Sequence, residues 1–171
     1  MSDARPTKRP VDPGVLEREG EAAADYLEGL LDILDADGDI DMDVEGDRAM
    51  VSIVESTPGE LGFLVGKNGE VLDALQELTR LAATQAVGER SRLMLDVAGH
   101  RAARRAALQD QATQAVAAAK ESGSVIKLSP MSAFERKVVH DAVAAAGLAS
   151  SSEGEEPNRY VCITPHTDAP V

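Results

Sequence analysis

Apolar and polar residues alternate with two different periods in the first part of the chain. Between residues 15 and 34, apolar side chains return every three or four positions, which is the period of an amphipathic helix. Between 39 and 45 they alternate with acidic residues, and a turn at 45–47 leads to a second apolar run at 49–54. The pattern predicts one helix, whose acidic face is exposed to solvent, followed by a β-hairpin.

Two helices and a strand are predicted next. A short helix begins after Pro58 and stops at Gly66-Lys67-Asn68-Gly69, and a longer helix then runs from about Glu70 to Gly88. The inward positions of the longer helix are predicted to be Val71, Leu72, Leu75, Leu78 and Ala82. Residues 91–97 have strand period, so the predicted order is α-β-β-α-α-β.

The second part predicts a long Ala-rich helix and then a β-α-β unit. The helix covers 100–121, and the unit comprises a strand at 125–128, a helix from Ser132 to about Ala146, and a strand at 159–164. The polar stretch between the last two elements is predicted to be a loop. It covers residues 150–158.

The predicted organisation has five segments. They are a disordered N-terminus at 1–13, a first domain at 14–98, a helical connector at 99–122, a second domain at 123–165 and a loose C-terminal tail at 166–171.

Composition predicts an aliphatic core and a reducing compartment. Hydrophobic residues make up 43% of the 171 residues, but the chain has no Trp, two Phe and two Tyr. This shortage argues against a domain that stacks bases on several aromatic rings, such as an RRM. The one cysteine, Cys162, lies in an apolar run and is expected to be a buried thiol. With neither a membrane span nor a signal peptide in the sequence, a cytoplasmic protein is predicted.

Charge is distributed unevenly along the chain. The net charge of −13 argues against nucleic acid as a partner, because phosphates repel acidic surfaces. However, residues 14–61 alone carry a net −13, whereas 62–140 carry a net +3. Any phosphate site is therefore expected between residues 62 and 140.

Neither a metal site nor a catalytic set is predicted. The segment Asp35–Asp41 partly suits an EF-hand loop, but Gly38 falls at the fourth loop position instead of the sixth, and Gly46 stands at the twelfth instead of Glu. Strand alternation explains its later carboxylates without a metal. We find neither metal-ligand spacing nor a nucleophile with a base, so we predict a protein without cofactor, metal or enzymatic activity.

The tetrapeptide Gly66-Lys67-Asn68-Gly69 has chemistry suited to a ribose-phosphate chain. Its glycines remove the Cβ atoms that would keep the chain at a distance, and the helix that follows offers free N–H groups and a positive dipole end. Lys67 adds charge, and Asn68 adds a donor that tolerates a left-handed conformation. The alternative is a tight turn between two helices with a surface lysine.

Four segments carry a closer resemblance to a known family. They read GFLVGKNGEVLDALQ at 62–76, DVAGHR at 96–101, PMSAFERKVVH at 130–140 and GEEPNR at 154–159. Together with the element order, they resemble the Jag family (SpoIIIJ-associated proteins). In that family a KH domain is followed by a small domain named for an Arg and a His with three residues between them, written RxxxH. The resemblance covers roughly residues 15–164.

The resemblance implies an α+β fold in which a type II KH domain (α-β-β-α-α-β) is joined by a helix to an RxxxH domain (β-α-β). It implies that the loop Gly66, Lys67, Asn68 and Gly69 clamps about four nucleotides by their backbone. It also implies that Arg136 and His140 contact single-stranded nucleic acid. A surface Arg with a partly buried His bonded within the domain is the alternative.

Two departures from the family pattern are visible. Many members carry a separate N-terminal Jag domain, for which the chain before Val15 is too short. His100 stands where a tyrosine is expected in relatives.

Five further basic residues are supporting candidates for RNA contact. Arg101, Arg104 and Arg105 share one face of the long helix, and Lys137 and Arg159 widen the basic surface. The alternative for the three arginines is a charged face that keeps an Ala-rich helix soluble.

The sequence as a whole predicts a cytoplasmic single-stranded RNA-binding protein that acts as a post-transcriptional regulator or RNA chaperone. The resemblance implies links to cell-envelope growth and cell shape, to a small single-domain KH protein and to a membrane insertase. The alternative is an interaction adaptor with weak RNA binding, which docks a protein through its acidic first helix and hairpin.

Overall fold

The computed structural model describes residues 10–165, which divide into two compact units between Arg101 and Ala102. The disorder predicted at 1–13 is wrong at its end, because Asp12 caps a helix that begins at Pro13. Its first part, residues 1–9, and the tail predicted at 166–171 lie outside the described residues. We call the part before the division unit 1 and the part after it unit 2.

Unit 1 has the predicted order of helices and strands. In sequence these elements are α1 (Pro13–Leu34), β1 (Asp39–Glu45), β2 (Arg48–Val54), α2 (Gly62–Val65), a 3-10 turn (Lys67–Gly69), α3 (Glu70–Val87) and β3 (Met94–Val97). The strands form one sheet in the order β1-β2-β3, with β1 antiparallel and β3 parallel to the central strand. Helices α1, α2 and α3 bury their apolar faces with β2 and β3 in one core.

Helix α3 is rotated relative to its predicted phase. Val71 and Leu78, predicted to face inward, are 42% and 51% exposed. Gln76 is buried instead because its Oε1 accepts a hydrogen bond of 3.1 Å from the backbone N–H of Leu95, on the free edge of β3. A polar side chain thus takes a core position because it satisfies a strand edge.

A buried carboxylate ties α1 to the loop before β3. Glu19, on the helix whose polar face was predicted to be solvated, is 5% exposed and accepts a 3.0 Å hydrogen bond from the Ser91 hydroxyl. Ser91 Oγ also accepts from the backbone N–H of Leu93, and Thr84 Oγ1 accepts from the backbone N–H of Ser91. These bonds hold the loop between α3 and β3 in one conformation.

Unit 2 contains one more strand than predicted. Helix α4 (His100–Ser122) starts at the end of unit 1, and β4 (Ile126–Lys127), α5 (Ala133–Ala145), β5 (Ala149–Glu153) and β6 (Tyr160–Thr164) follow. The strands form an antiparallel sheet in the order β4-β6-β5. The predicted connector helix contributes to the core of this unit through Leu108, Ala112, Ala115, Val116 and Ala119.

The prediction of a loop throughout 150–158 is wrong over its first part. Residues 149–153 form the edge strand β5, which pairs only with β6. Its sequence, Ala-Ser-Ser-Ser-Glu, lacks the apolar alternation that marks a strand. Pairing with the apolar strand β6 makes it extended, and its side-chain hydroxyls meet a histidine, as described below.

The prediction of a buried thiol is confirmed. Cys162 is buried in β6, where burial raises the pKa of its thiol.

Within residues 10–165, no helix combines the length and apolar character needed to cross a bilayer.

Candidate nucleic-acid interface

The loop between α2 and α3 adopts a conformation that depends on its glycines. Gly66 has φ +72° and Gly69 has φ +78°, and between them Asn68 is also left-handed at φ +55°. Glycine reaches these angles without steric cost, and asparagine is one of the few other residues that tolerate them. The local sequence therefore determines the shape of this loop.

Each glycine also lies against a neighbouring side chain. A Cβ added at Gly66 would collide with the Val71 side chain, and one at Gly69 would lie 3.2 Å from Nε2 of His100. His100, at the position where a tyrosine is expected in relatives, thus packs beside the second glycine. The loop backbone is exposed on the other side, at Lys67 and Asn68.

The exposed side of the loop combines a cation with the start of a helix. The side chain of Lys67 is exposed and makes no ion pair or hydrogen bond within the described residues, so its ammonium is available to a ligand. The N-terminus of α3 has no side-chain cap. The positive end of the helix dipole therefore lies beside the lysine, which suits phosphate, although the N–H of Glu70, the first residue of the helix, already donates to the carbonyl oxygen of Lys67. Two acidic residues, Glu70 and Asp73, lie in the first turn of the helix.

The side chain of Arg101 is held by contacts within unit 1. Its Nε donates to the carbonyl oxygen of Leu95 at 2.8 Å, and its Nη2 lies 3.0 Å from an Asp73 carboxylate oxygen. Arg80 makes a similar bond, from Nε to the carbonyl oxygen of Leu93 at 2.8 Å. Both arginines occupy acceptors on the free edge of β3, which an unprotected edge strand would offer to another chain.

Arg136 is also buried within its unit. It is 7% exposed, and its two terminal nitrogens donate to the carbonyl oxygen of Met131 at 2.8 Å and to the carboxylate of Glu156 at 2.6 Å. The guanidinium therefore joins the segment before α5 to the loop between β5 and β6. Its planar fork suits two acceptors in different directions.

His140 has a partner on each ring nitrogen. Nδ1 lies 2.6 Å from the Ser150 hydroxyl and Nε2 lies 2.7 Å from that of Ser152, both on β5. A neutral imidazole donates through one nitrogen and accepts through the other, and a hydroxyl can fill either role. The ring is partly exposed. The sequence around the two serines lacks the apolar alternation that would predict their strand, so their contact with His140 could not be expected from it.

The remaining predicted basic residues differ in their engagement. Arg104 Nε pairs with Glu135 at 2.7 Å, and Lys137 Nζ pairs with Asp141 at 2.8 Å. Arg105 lies over the ring of Phe134, with 5.9 Å between its guanidinium carbon and the ring centroid. Arg159 is exposed and has no side-chain partner in the described part of the chain.

Glu135 links helix capping to Arg104. It forms a capping box with Ser132, and each residue's side chain accepts the other's backbone N–H. Partial burial raises the pKa of Glu135, but the Ser132 N–H and the Arg104 guanidinium outweigh burial and hold that pKa below its ordinary value. Since the folded-state pKa is the lower one, ionised Glu135 stabilises the fold at neutral pH, and this contribution is lost as the pH falls through the folded-state pKa.

Replacing Glu135 with glutamine is therefore expected to lower the stability of unit 2 by about 0.5 kcal/mol at neutral pH. The difference from the wild type is expected to shrink as the pH is lowered, because the wild-type carboxyl then becomes neutral as well. Urea unfolding at a series of pH values measures both effects. Glu121→Gln, at an exposed position without a partner among residues 10–165, serves as the control. A difference that grows on acidification would contradict the assigned sign.

The second part of the chain matches a known domain family. Residues 106–165 match the family model for the domain named for an Arg and a His with three residues between them. These residues form an RxxxH domain. It is the domain that the sequence resemblance implied, and Arg136 and His140 have the spacing of its name. The match begins within α4, in agreement with the packing of that helix against the core of the RxxxH domain.

Similar proteins extend beyond the RxxxH domain. RNA-binding protein KhpB of Clostridium symbiosum is 28% identical over 145 residues, which cover 84% of this chain and 65% of that protein. KhpB of Lactiplantibacillus plantarum is 31% identical over 143 residues, 83% of this chain and 44% of the relative. KhpB of Streptococcus pneumoniae is 30% identical over 139 residues, with 81% and 42% covered. The chain thus spans between about two fifths and two thirds of these relatives. This chain is therefore similar to KhpB proteins over more than four fifths of its own length.

Proposed function

We propose that this protein binds single-stranded RNA as a cytoplasmic post-transcriptional regulator or RNA chaperone. Unit 1 is a type II KH domain in this proposal, and its loop at 66–69 holds the RNA backbone. The loop conformation carries the proposal: Gly66, Asn68 and Gly69 have positive φ, and Lys67 lies exposed beside the N-terminus of α3, which has no side-chain cap.

Charge and similarity support the same conclusion. The loop lies in the mildly basic segment 62–140 of an otherwise acidic chain, so phosphate meets less repulsion there than at residues 14–61. The relatives are named RNA-binding proteins, and their sequence similarity extends over most of this chain. With few phosphate contacts, we expect moderate affinity at each site that falls as salt is added.

The RxxxH domain supplies the second RNA contact in this proposal. Arg136 mainly holds the shape of that surface, because its nitrogens already donate to Met131 and Glu156. His140 is the more exposed member of the pair, and it can exchange a serine hydroxyl for a ligand oxygen. Two contacts on one strand raise the effective concentration of the second, so affinity should increase with RNA length.

A charge reversal in the loop tests the proposal. Changing Lys67 and Asn68 together to aspartate is expected to weaken the binding of a single-stranded RNA by at least about tenfold, because carboxylates replace the groups next to the phosphates. Filter binding at fixed salt measures the loss. Both positions are exposed, so the fold should survive, as circular dichroism can verify.

The control must carry the same change in charge elsewhere. Changing Arg18 to aspartate and Gln85 to glutamate alters the net charge equally at two exposed positions outside the loop. We expect this control to bind like the wild type. Equal weakening by both double variants would mean that overall charge, and not the loop, determines affinity.

A protein-interaction adaptor is the second candidate function. Between α1 and the edge strand β1 lies a groove of about 420 Å³ with apolar walls that include Leu16, Met42 and Val44. Glu17 and Glu21 line its rim, which suits a basic partner. A small single-domain KH protein and insertase machinery are the partners proposed for it. Co-purified proteins that resist nuclease treatment would favour this function.

A further inference from the structure

One of the two phenylalanines in the chain lies on the surface of the RxxxH domain under a cation. Phe134, in the first turn of α5, is 47% exposed, although the unit has an apolar core available. Arg105 on α4 lies over its ring at 5.9 Å and makes no ion pair within the described residues. A ring held in solvent beside an arginine has the elements of a stacking surface.

The ring forms part of a cavity between α4 and α5. The cavity has a volume of about 410 Å³, and Gln109, Lys137 and Asp141 contribute polar groups to its lining. Val138, Ala142 and Ala145 provide apolar lining. The amide of Gln109 can both donate and accept, and the carboxylate of Asp141 accepts, so planar ligands with mixed donor and acceptor edges are suited to it.

This cavity is distinct from the surface of Arg136 and His140. The hydrogen bonds of those two residues lead to Met131, Glu156 and the serines of β5. Phe134 and Lys137 instead line the cavity beside α4. Helix α5 therefore presents one face to the sheet and loops of its unit and another, with an exposed ring and cations, to solvent.

We propose that this cavity binds one nucleobase of single-stranded RNA, stacked on Phe134, with Arg105 against the base or its phosphate. The inference rests on the proposed RNA binding and adds a specific base contact to it. A base is favoured because the cavity combines a flat ring, a guanidinium and hydrogen-bonding groups, whereas a purely apolar partner would leave Arg105 and Gln109 without compensation.

The test compares an RNA oligonucleotide with its abasic analogue of equal length. Phe134→Leu, which keeps an apolar side chain but removes the ring, is expected to weaken binding of the base-bearing RNA by about tenfold. Binding of the abasic analogue should be unchanged. Phe134→Tyr, which restores a ring, should retain wild-type affinity for both. Val125→Ala, at another exposed apolar position of this unit, is the matched control.

Arg105→Gln provides a second variant that leaves the ring in place. We expect it to weaken RNA binding by a smaller factor, about threefold, because the cation over the ring is lost. Equal affinity of wild type, Phe134→Leu and Arg105→Gln for the base-bearing RNA would overturn the proposal. So would an equal loss on the abasic analogue, or a smaller molecular mass of Phe134→Leu, which would identify the face as a contact between copies.

The loop variants separate this inference from the proposed function. If the double aspartate variant at Lys67 and Asn68 loses RNA and Phe134→Leu does not, the base site is wrong and the RNA-binding function stands. If the wild-type protein itself fails to bind the base-bearing RNA, both are wrong. If Phe134→Leu and the loop variant each weaken binding, and only the former spares the abasic analogue, both are supported.

Discussion

Replacing Gly66 with alanine is expected to destabilise unit 1 by about 3 kcal/mol and to remove RNA binding through the loop. Gly66 has φ +72° and ψ −178°, a region of backbone space that residues with a Cβ almost never adopt. The added methyl would also collide with the side chain of Val71 and lie 3.1 Å from its backbone nitrogen. Since Val71 belongs to the first turn of α3, relieving this collision displaces the helix start that the proposal assigns to phosphate.

Denaturant unfolding gives the stability change, and hydrogen exchange read along α2 and α3 assigns it to unit 1. Gly62→Ala is the matched control, because a Cβ there meets nothing within 4 Å and the residue lies in α2. The double variant Gly66→Ala, Val71→Ala removes the shortest contact, with Val71 Cγ2, but keeps close contacts with the Cβ and backbone nitrogen of residue 71 and the unfavourable backbone angle, so it should recover less than half of the loss. A single variant as stable as the wild type would show that the loop is not constrained as described.

The loop could be predicted from sequence because its determinants are local. Glycine and asparagine at left-handed positions are sufficient to specify the turn, and α3 follows directly. The contact between Gly69 and His100 could not be predicted in this way, since the two residues are far apart in sequence and only the packed unit brings them together. The Phe134 cavity likewise requires α4 and α5 to lie side by side.

Periodicity also explains which helices and strands were found and which were not. The first helix, predicted over 15–34, is observed at Pro13–Leu34. It could be predicted because one of its faces is buried, so apolar residues recur along the sequence with the helical period. Strand β5 has no such apolar pattern. Its backbone pairs with β6, and the hydroxyls of Ser150 and Ser152 bond to His140. Apolar periodicity therefore cannot predict an element whose side chains stabilise the fold through hydrogen bonds.

The same limit applies to the charged residues. Glu19 was expected on a solvated face, yet the hydroxyl of Ser91 makes its burial acceptable. Arg101 was a candidate for RNA contact, yet it meets the carbonyl oxygen of Leu95 at the edge of a strand. In each case the partner is polar and lies outside the helix that carries the charge, so neither charge nor spacing distinguishes a structural role from a binding role.

Arg136 shows how that distinction can be measured. Arg136→Ala is expected to lower the stability of the RxxxH domain by about 3 kcal/mol, because it removes a buried side chain and leaves the carbonyl oxygen of Met131 without its donor. Glu156 is mostly exposed and can return to water, so its loss of a partner should cost less. Arg136→Lys should recover only part of the loss, because an ammonium lacks the planar fork that reaches both acceptors.

Denaturant unfolding, with hydrogen exchange followed in α5 and β6, measures the stability of these variants. Arg159→Ala, at an exposed residue whose side chain has no partner in the described range, is expected to be neutral. RNA binding is compared at a temperature where each variant remains folded. If Arg136→Ala is as stable as the wild type but loses RNA, the guanidinium is a direct contact. If stability falls and folded-state affinity changes little, Arg136 positions the segment before α5 and the loop after β5, as its hydrogen bonds indicate.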